Sequence, residues 1–258
     1  MMGASGRKTS PSMIIFSLLP LLVECDCVSA SSNLALKKPA QQVSDFSTIG
    51  LAGNAVDGYN DGLYNTGSCS HTNDIKDNWW KVDLKGYYTV TQVDIFSRIE
   101  VCCAYRLQQF EVRVSVKNPT TFPSTEGHRC AFYPDIVPLN GTSLTCDRPI
   151  TGRFVSVFKA AYDHLEICEL RVFGDRSLGV YEKLSENSII NGPVRRSLQS
   201  ASLLSCGMEC ESDLDCVAFN VLDTSSRPLT CELIGLQDFT DPTQSTRTGW
   251  TAFQRLTS

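Results

Sequence analysis

"WWKVDL" (79–84) and "YTVTQVDIF" (88–96), separated by three residues that include Gly86, decide the fold class of this chain. Both mix alternating polar and apolar positions with β-branched residues, the pattern of a strand with one face against a core. "FEVRVSV" (110–116) and "RFVSVF" (153–158) repeat the pattern, and "LEICELRVF" (165–173) closes the series. Turn-forming Gly, Asn, Pro and Asp fall between them, and no convincing helix interrupts the span from about 33 to 174. Many short strands without helices predict a mainly β domain, a β-sandwich of jelly-roll type.

Beyond this span, "DRSLG" (175–179) reads as a linker, and the pattern changes. "SLQSASLLSCGMECES" (197–212) is expected to form an amphipathic helix with Cys206 and Cys210 one turn apart on one face. Two short strands follow, "VAFNV" (217–221) and "LTCELI" (229–234). Residues 180–258 therefore read as a small α+β module held together by disulfides, because so short a segment buries only a marginal core.

The first 30 residues have the form of a secretory leader. Arg7 and Lys8 supply a basic start, "MIIFSLLPLLV" (13–23) an apolar run too short to cross a bilayer, and "VSA" a small-residue cleavage site ending at Ala30. No other run is long enough to span a membrane, so a secreted, extracellular product is expected. Cys25 and Cys27 leave with the leader. Ten of the 12 cysteines remain, six before the linker and four after it, an even count that reads as a disulfide framework in an oxidising compartment. A zinc site around "CGMEC" and Cys216 is the weaker alternative, since all three histidines lie elsewhere.

Composition excludes several functions. A net charge of −5 without a basic stripe argues against nucleic acid, and Lys37-Lys38 and Arg195-Arg196 are too short to change this. No nucleophile elbow, paired metal-binding histidines or phosphate-cradling glycine loop is present, so no enzyme is expected. The adjacent Cys102 and Cys103 pose a separate question. Disulfide-bonded residues usually hold their Cα atoms about 4.4–6.8 Å apart, whereas neighbours lie ~3.8 Å apart. Either each reaches a different partner, or the two bond to each other in a small ring.

"NAVDGYNDGLYNTGSCSH" (54–71), "NWWKVDL" (78–84), "SRIEVCCAYR" (97–106) and "ICELRVFG" (167–174) together resemble the F-type lectins, the fucose-binding fucolectin family with a discoidin-like jelly roll. The resemblance spans the β domain, 31–174. It assigns His71, Arg98 and Arg106 to sugar binding, which suits their chemistry. Guanidinium groups are planar forks of donors that hold neighbouring hydroxyls, and an imidazole reads one more. Taken singly they would be a loop histidine and two surface charges. The resemblance also implies that Cys102 and Cys103 bond to each other, offering a flat apolar platform to a deoxy-sugar methyl group, with Tyr64 packing on the same methyl. One departure is plain: Glu100 stands where the family has aspartate, and Val101 is inserted before Cys102. Glu100 is expected to orient an arginine, and the insertion to shift Arg98 relative to Arg106.

The same resemblance implies a structural calcium ion, held by the Asn54 carbonyl, the Asp57 carboxylate, the Tyr59 carbonyl, Ser68, the Cys168 carbonyl and the Glu169 side chain, oxygen donors suited to a hard cation. It pairs Cys69 with Cys168 and Cys130 with Cys146. The C-terminal module resembles PAN/apple domains, which implies Cys206–Cys231 and Cys210–Cys216 and a role in protein binding or self-association. "NGT" at Asn140 is a glycosylation acceptor. The expected product is a secreted lectin for fucosylated glycans, in cell-surface or microbial recognition. The rival is a discoidin-like adhesion protein for protein, matrix or membrane. Arginines in loop 97–106, rather than apolar tips, favour sugar over lipid.

Overall fold

A computed structural model describes residues 32–177, 179, 181–222 and 228–255 of the chain. The expected leader, with its cleavage site at Ala30, lies outside the described residues. Ser31–Ser258 forms one compact unit.

Its N-terminal part contains strands β1 (Ala40–Gln42), β2 (Ser70–His71), β3 (Asn78–Phe96), β4 (Phe110–Ser115), β5 (His128–Tyr133), β6 (Thr142–Lys159), β7 (Glu166–Ile167) and β8 (Glu169–Arg176). The main sheet runs β1-β3-β6-β4-β5, with β8 also on β3. The two stretches expected as separate strands, 79–84 and 88–96, are one strand, β3, with a break in register between Asp83 and Tyr88. The Asp83 side chain accepts the Lys85 amide at 2.9 Å, and Lys85 takes φ +60°. This bends the strand without ending it. The first half of β3 then pairs with β1 and the second with β8. β6 is likewise longer than its predicted core at 153–158. The sandwich closes over Trp80, Val82, Val93, Phe110, Val155 and Leu170, all fully buried. The fold is mainly β, a sandwich as the alternation predicts and discoidin-like as the resemblance implies.

The C-terminal part contains β9 (Tyr181–Asn191), β10 (Val194–Ser200), α1 (Leu203–Ser212), β11 (Ala218–Leu222), β12 (Leu229–Ile234) and β13 (Thr243–Arg255), in a sheet ordered β10-β12-β11-β13-β9. The helix expected over 197–212 starts only at Leu203. Ser202 is its N-cap and accepts the Ser205 amide, while residues 197–200 pair with β12 instead. Backbone pairing along an open sheet edge outweighs the weak helical pattern there. Cys206–Cys231 ties α1 to β12, and Cys210–Cys216 ties its C-terminus to the start of β11.

The expected linker 175–179 is partly strand, because β8 continues through Arg176. The Arg176 guanidinium donates to the carbonyls of Glu211, Asp213 and Cys216. A second junction is wholly buried: Arg153 on β6 grips Asp83 through Nε at 2.7 Å and donates to the carbonyls of Gln237 and Thr240. The Phe239 amide donates to Asp83 at 2.9 Å.

Candidate functional site

β2 and β7 form a two-residue ladder in which His71 lies directly opposite Glu166. The Cys69–Cys168 disulfide continues this register by one residue and clamps the ladder. His71 is only 2% exposed. Its Nδ1 lies 2.8 Å from the Thr72 carbonyl, and its Nε2 donates to Glu166 Oε1 at 2.5 Å. Phe46 stacks on the ring at 4.3 Å, and Tyr64 and His164 close it in at 4.9 and 4.7 Å. Gly50 is required beside it, since a Cβ there would meet His71 Cβ at 2.9 Å.

Arg98 and Arg106 reach the same carboxylate oxygen, at 3.3 and 2.6 Å. Glu100 does for Arg98 what the sequence suggests: its Oε2 accepts from Nε at 2.9 Å, while its Oε1 accepts the Tyr64 amide at 2.9 Å. The Arg98 guanidinium lies over the Tyr64 ring, 4.7 Å from its centre. Lys159, itself buried, donates to the Arg106 carbonyl at 2.5 Å and to Asp163 at 2.6 Å, fixing the backbone of that arginine. Cys102 is bonded to Cys103; Cys102 is exposed and Cys103 buried. With Val101 in place, both arginines still reach Glu166 Oε1. The amides of Cys103 and Ala104 both turn back to the Glu100 carbonyl at 2.9 Å, so the extra residue bulges outward at the tip of the turn.

That turn corrects the expected character of loop 97–106. Arg98 is buried and Arg106 mostly so, whereas Val101 is 97% exposed, with Ile99 and Tyr105 also partly exposed. Pairing with Glu100 and Glu166 draws both guanidinium groups inward and leaves the apolar side chains outside.

Glu166, at the centre of this cluster, is the residue that the sequence reading missed. It is fully buried, and its Oε2 has no hydrogen-bond partner. Burial alone raises a carboxyl pKa, but hydrogen bonds and charge from His71, Arg106 and Arg98 outweigh it and hold this one below the ordinary range. Glu100 behaves alike: burial opposes ionisation, and Arg98 with the Tyr64 amide overcomes it. Two arginines therefore face two carboxylates, and the site carries no surplus charge from these four groups. One signal was available. "LEICEL" places an acid between buried apolar residues of a strand, where acids are rare unless paired.

Of the expected cation ligands, Asp57 and Glu169 come near each other where loop 54–61 meets β8. The Gly58 amide donates to Glu169 Oε2 at 3.2 Å, and Tyr59 donates its amide to Asp57 at 2.8 Å. Burial pushes the Glu169 carboxyl up to about 7, with Asp57 adding repulsion, and burial also raises Asp57. Among the described residues no three His, Cys, Asp or Glu side chains cluster as a metal site. The expected set is two carboxylates plus carbonyls and a hydroxyl, all oxygen donors, and a buried Glu169 repelled by the half-buried Asp57 suits a hard cation. The Asn54 side chain is spent on the Ile49 and Cys69 carbonyls, leaving its backbone carbonyl for that role. Ser68 donates to Asp61, which was not among the expected ligands.

Residues 54–157 match the family described as NedA-like, galactose-binding domain. Fucolectin-3 of Anguilla japonica is 32% identical over 144 residues, covering 54% of this chain and 78% of the relative. The chain belongs to the fucolectin family. Fucolectin of Anguilla anguilla is 30% identical over 132 residues, covering 48% of the chain and 77% of the relative. An f-lectin from the serum of striped bass, Morone saxatilis, shares the fold with a TM-score of 0.53 at 21% identity, covering 88% of this chain and 95% of that one.

The fucolectins are carbohydrate-binding lectins, not enzymes. The F-type lectin domain of this chain also contains the Cys130–Cys146 disulfide, which links β5 to β6, and Asn140, exposed in the turn before β6. The family match ends at residue 157 and does not bear on the PAN/apple-like module expected of the C-terminal part. No helix among the described residues is long and apolar enough to cross a membrane.

Proposed function

We propose that this chain is a secreted, calcium-containing lectin that binds terminal fucose or a similar glycan. One observation carries the reading: the donors of His71, Arg98 and Arg106 converge on a single oxygen position. That oxygen is Glu166 Oε1, and donors grouped this closely can hold neighbouring sugar hydroxyls. Beside it stand the Cys102–Cys103 platform and the Tyr64 ring, apolar surfaces suited to a deoxy-sugar methyl. The fucolectin relatives support fucose as the sugar. Calcium at Asn54, Asp57, Tyr59, Ser68, Cys168 and Glu169 holds loop 54–61 to β8 and so steadies β2. The C-terminal part, divided from the lectin domain near 175–179, is a PAN/apple-like module for a protein partner or self-association. Its support is one helix stapled by two disulfides to a five-stranded sheet. Glycosylation at Asn140 and glycan recognition on cells or microbes complete the proposal.

The test is retention of the mature chain on immobilised fucose with calcium present, and elution by free fucose. A glycan array without signal under those conditions rejects the reading. A second reading, adhesion to protein, matrix or membrane, is favoured by the exposed apolar rim: Phe46, Ile49, Leu51, Leu63, Val101 and Tyr105. Sedimentation with lipid vesicles, unaffected by fucose, distinguishes it.

A further inference from the structure

We propose that Glu166 is an internal ligand of the sugar site, an affinity- and specificity-determining residue whose Oε1 holds the position a sugar hydroxyl oxygen must take. The inference rests on the reading of His71, Arg98 and Arg106 as the sugar-binding trio. A sugar hydroxyl oxygen accepting from His71 and from either arginine must lie within hydrogen-bond reach of the same donor atoms. Glu166 Oε1 already lies there, 2.5 Å from His71 Nε2, 2.6 Å from Arg106 and 3.3 Å from Arg98. Two oxygens cannot share that volume.

Access leads to the same conclusion. His71 and Glu166 are buried, and Arg98 nearly so, so no ligand reaches all three donors while the carboxylate stays in place. The backbone of Glu166 is pinned opposite His71 by the β2–β7 ladder and the Cys69–Cys168 clamp. Its side chain is held from one side only, since Oε2 has no hydrogen-bond partner. Opening the site is thus a side-chain movement, with the backbone left as it is.

The energetic contest is unequal. Hydrogen bonds between ionised partners are stronger than those to a neutral hydroxyl, so the carboxylate outcompetes a lone sugar hydroxyl for the arginines. Neutral monosaccharides bind weakly in consequence. Glu166 also neutralises charge, so the site refuses anions that two arginines would otherwise attract. Removing it has two effects at once: tighter binding of the neutral sugar and new affinity for anions.

The full mature chain is compared with Glu166→Thr and Glu166→Gln variants, each checked for folding by circular dichroism and thermal melting. Calorimetry measures fucose binding, and inorganic sulfate serves as the anion probe. Glu166→Thr is expected to bind fucose about tenfold or more tightly than the parent, and to bind sulfate where the parent does not. Glu166→Gln, similar in size and uncharged, is expected between the two. A folded Thr variant with unchanged or weaker fucose binding overturns the proposal, because Glu166 would then be a group the sugar uses. A variant that gains sulfate while neither protein binds fucose upholds the role of Glu166 and rejects fucose as the ligand. If the Thr variant fails to fold, the Gln variant decides, and no gain in either ligand overturns the proposal.

Discussion

At the scale of the residue, orientation decides what each charge can do. Arg98 is gripped by Glu100 on one side and reaches Glu166 on the other, while its flat face lies on Tyr64. Arg106 has one carboxylate partner, Glu166, and retains 21% side-chain exposure, making it the more accessible arginine of the pair. Its removal therefore tests sugar contact most directly. Losing a hydrogen bond from a charged donor costs about 1.5–3 kcal/mol, so Arg106→Ala is expected to lower fucose affinity roughly ten- to a hundred-fold. Titration of folded variant and parent with fucose checks this, and a loss below about threefold removes Arg106 from the ligand set.

At the scale of the element, β2 and β7 are too short to be stable alone, and neighbouring structure holds them. The disulfide is one such restraint, and loop 54–61, whose Asn54 side chain donates to the Cys69 carbonyl, is the other. Glu169 links that loop to pH. Its carboxyl rises from the ordinary 4.5 to about 7 in the folded protein, so the folded state holds the proton more tightly than the unfolded one. Between those values the unfolded chain has released its proton and the folded chain has not, so the metal-free protein loses stability as pH climbs through this window. The calcium ion proposed for this loop needs the ionised carboxylate, so its binding would offset that loss. Melting temperatures with calcium and with chelator are expected to differ little near pH 5 and to separate widely by about pH 8. Curves that coincide at every pH argue against a calcium ion at Asp57 and Glu169.

At the scale of the whole molecule, the lectin sandwich and the C-terminal part share a buried ionic joint. Asp83 and Arg153 are both fully buried, and the segment 237–241 closes over them with two carbonyls and an amide. Lys85 adds an ion pair to Asp238 at 2.7 Å at its edge. Breaking a buried pair from one side leaves an uncompensated charge, so Arg153→Met is expected to cost about 3–5 kcal/mol of stability. Replacing both partners, with Asp83→Leu added, is expected to recover much of it. Denaturant unfolding of parent, single and double variants measures the effect. A single variant as stable as the parent means that this joint does not hold the two parts together.

Much of this protein was legible in the amino-acid sequence, and the reason is local. Period-two alternation reports which face of a strand is buried, so β3, β4, β6 and β8 left their mark in the lectin half. Adjacent cysteines and the spacing from His71 to Arg106 likewise survive in one dimension. The start of α1 and the edge strand β10 did not, because pairing with β12 is a long-range interaction that outweighs weak local preference. The direction of the arginines was equally hidden. Sequence placed Arg98 and Arg106 in a loop, where either one taken singly would be a surface charge. Only the ladder that sets His71 opposite Glu166, 95 residues apart in the chain, brings one carboxylate to all three donors. That contact turns the arginines inward and leaves Val101 at the surface, because a buried acid must find its counter-charges wherever the fold puts them.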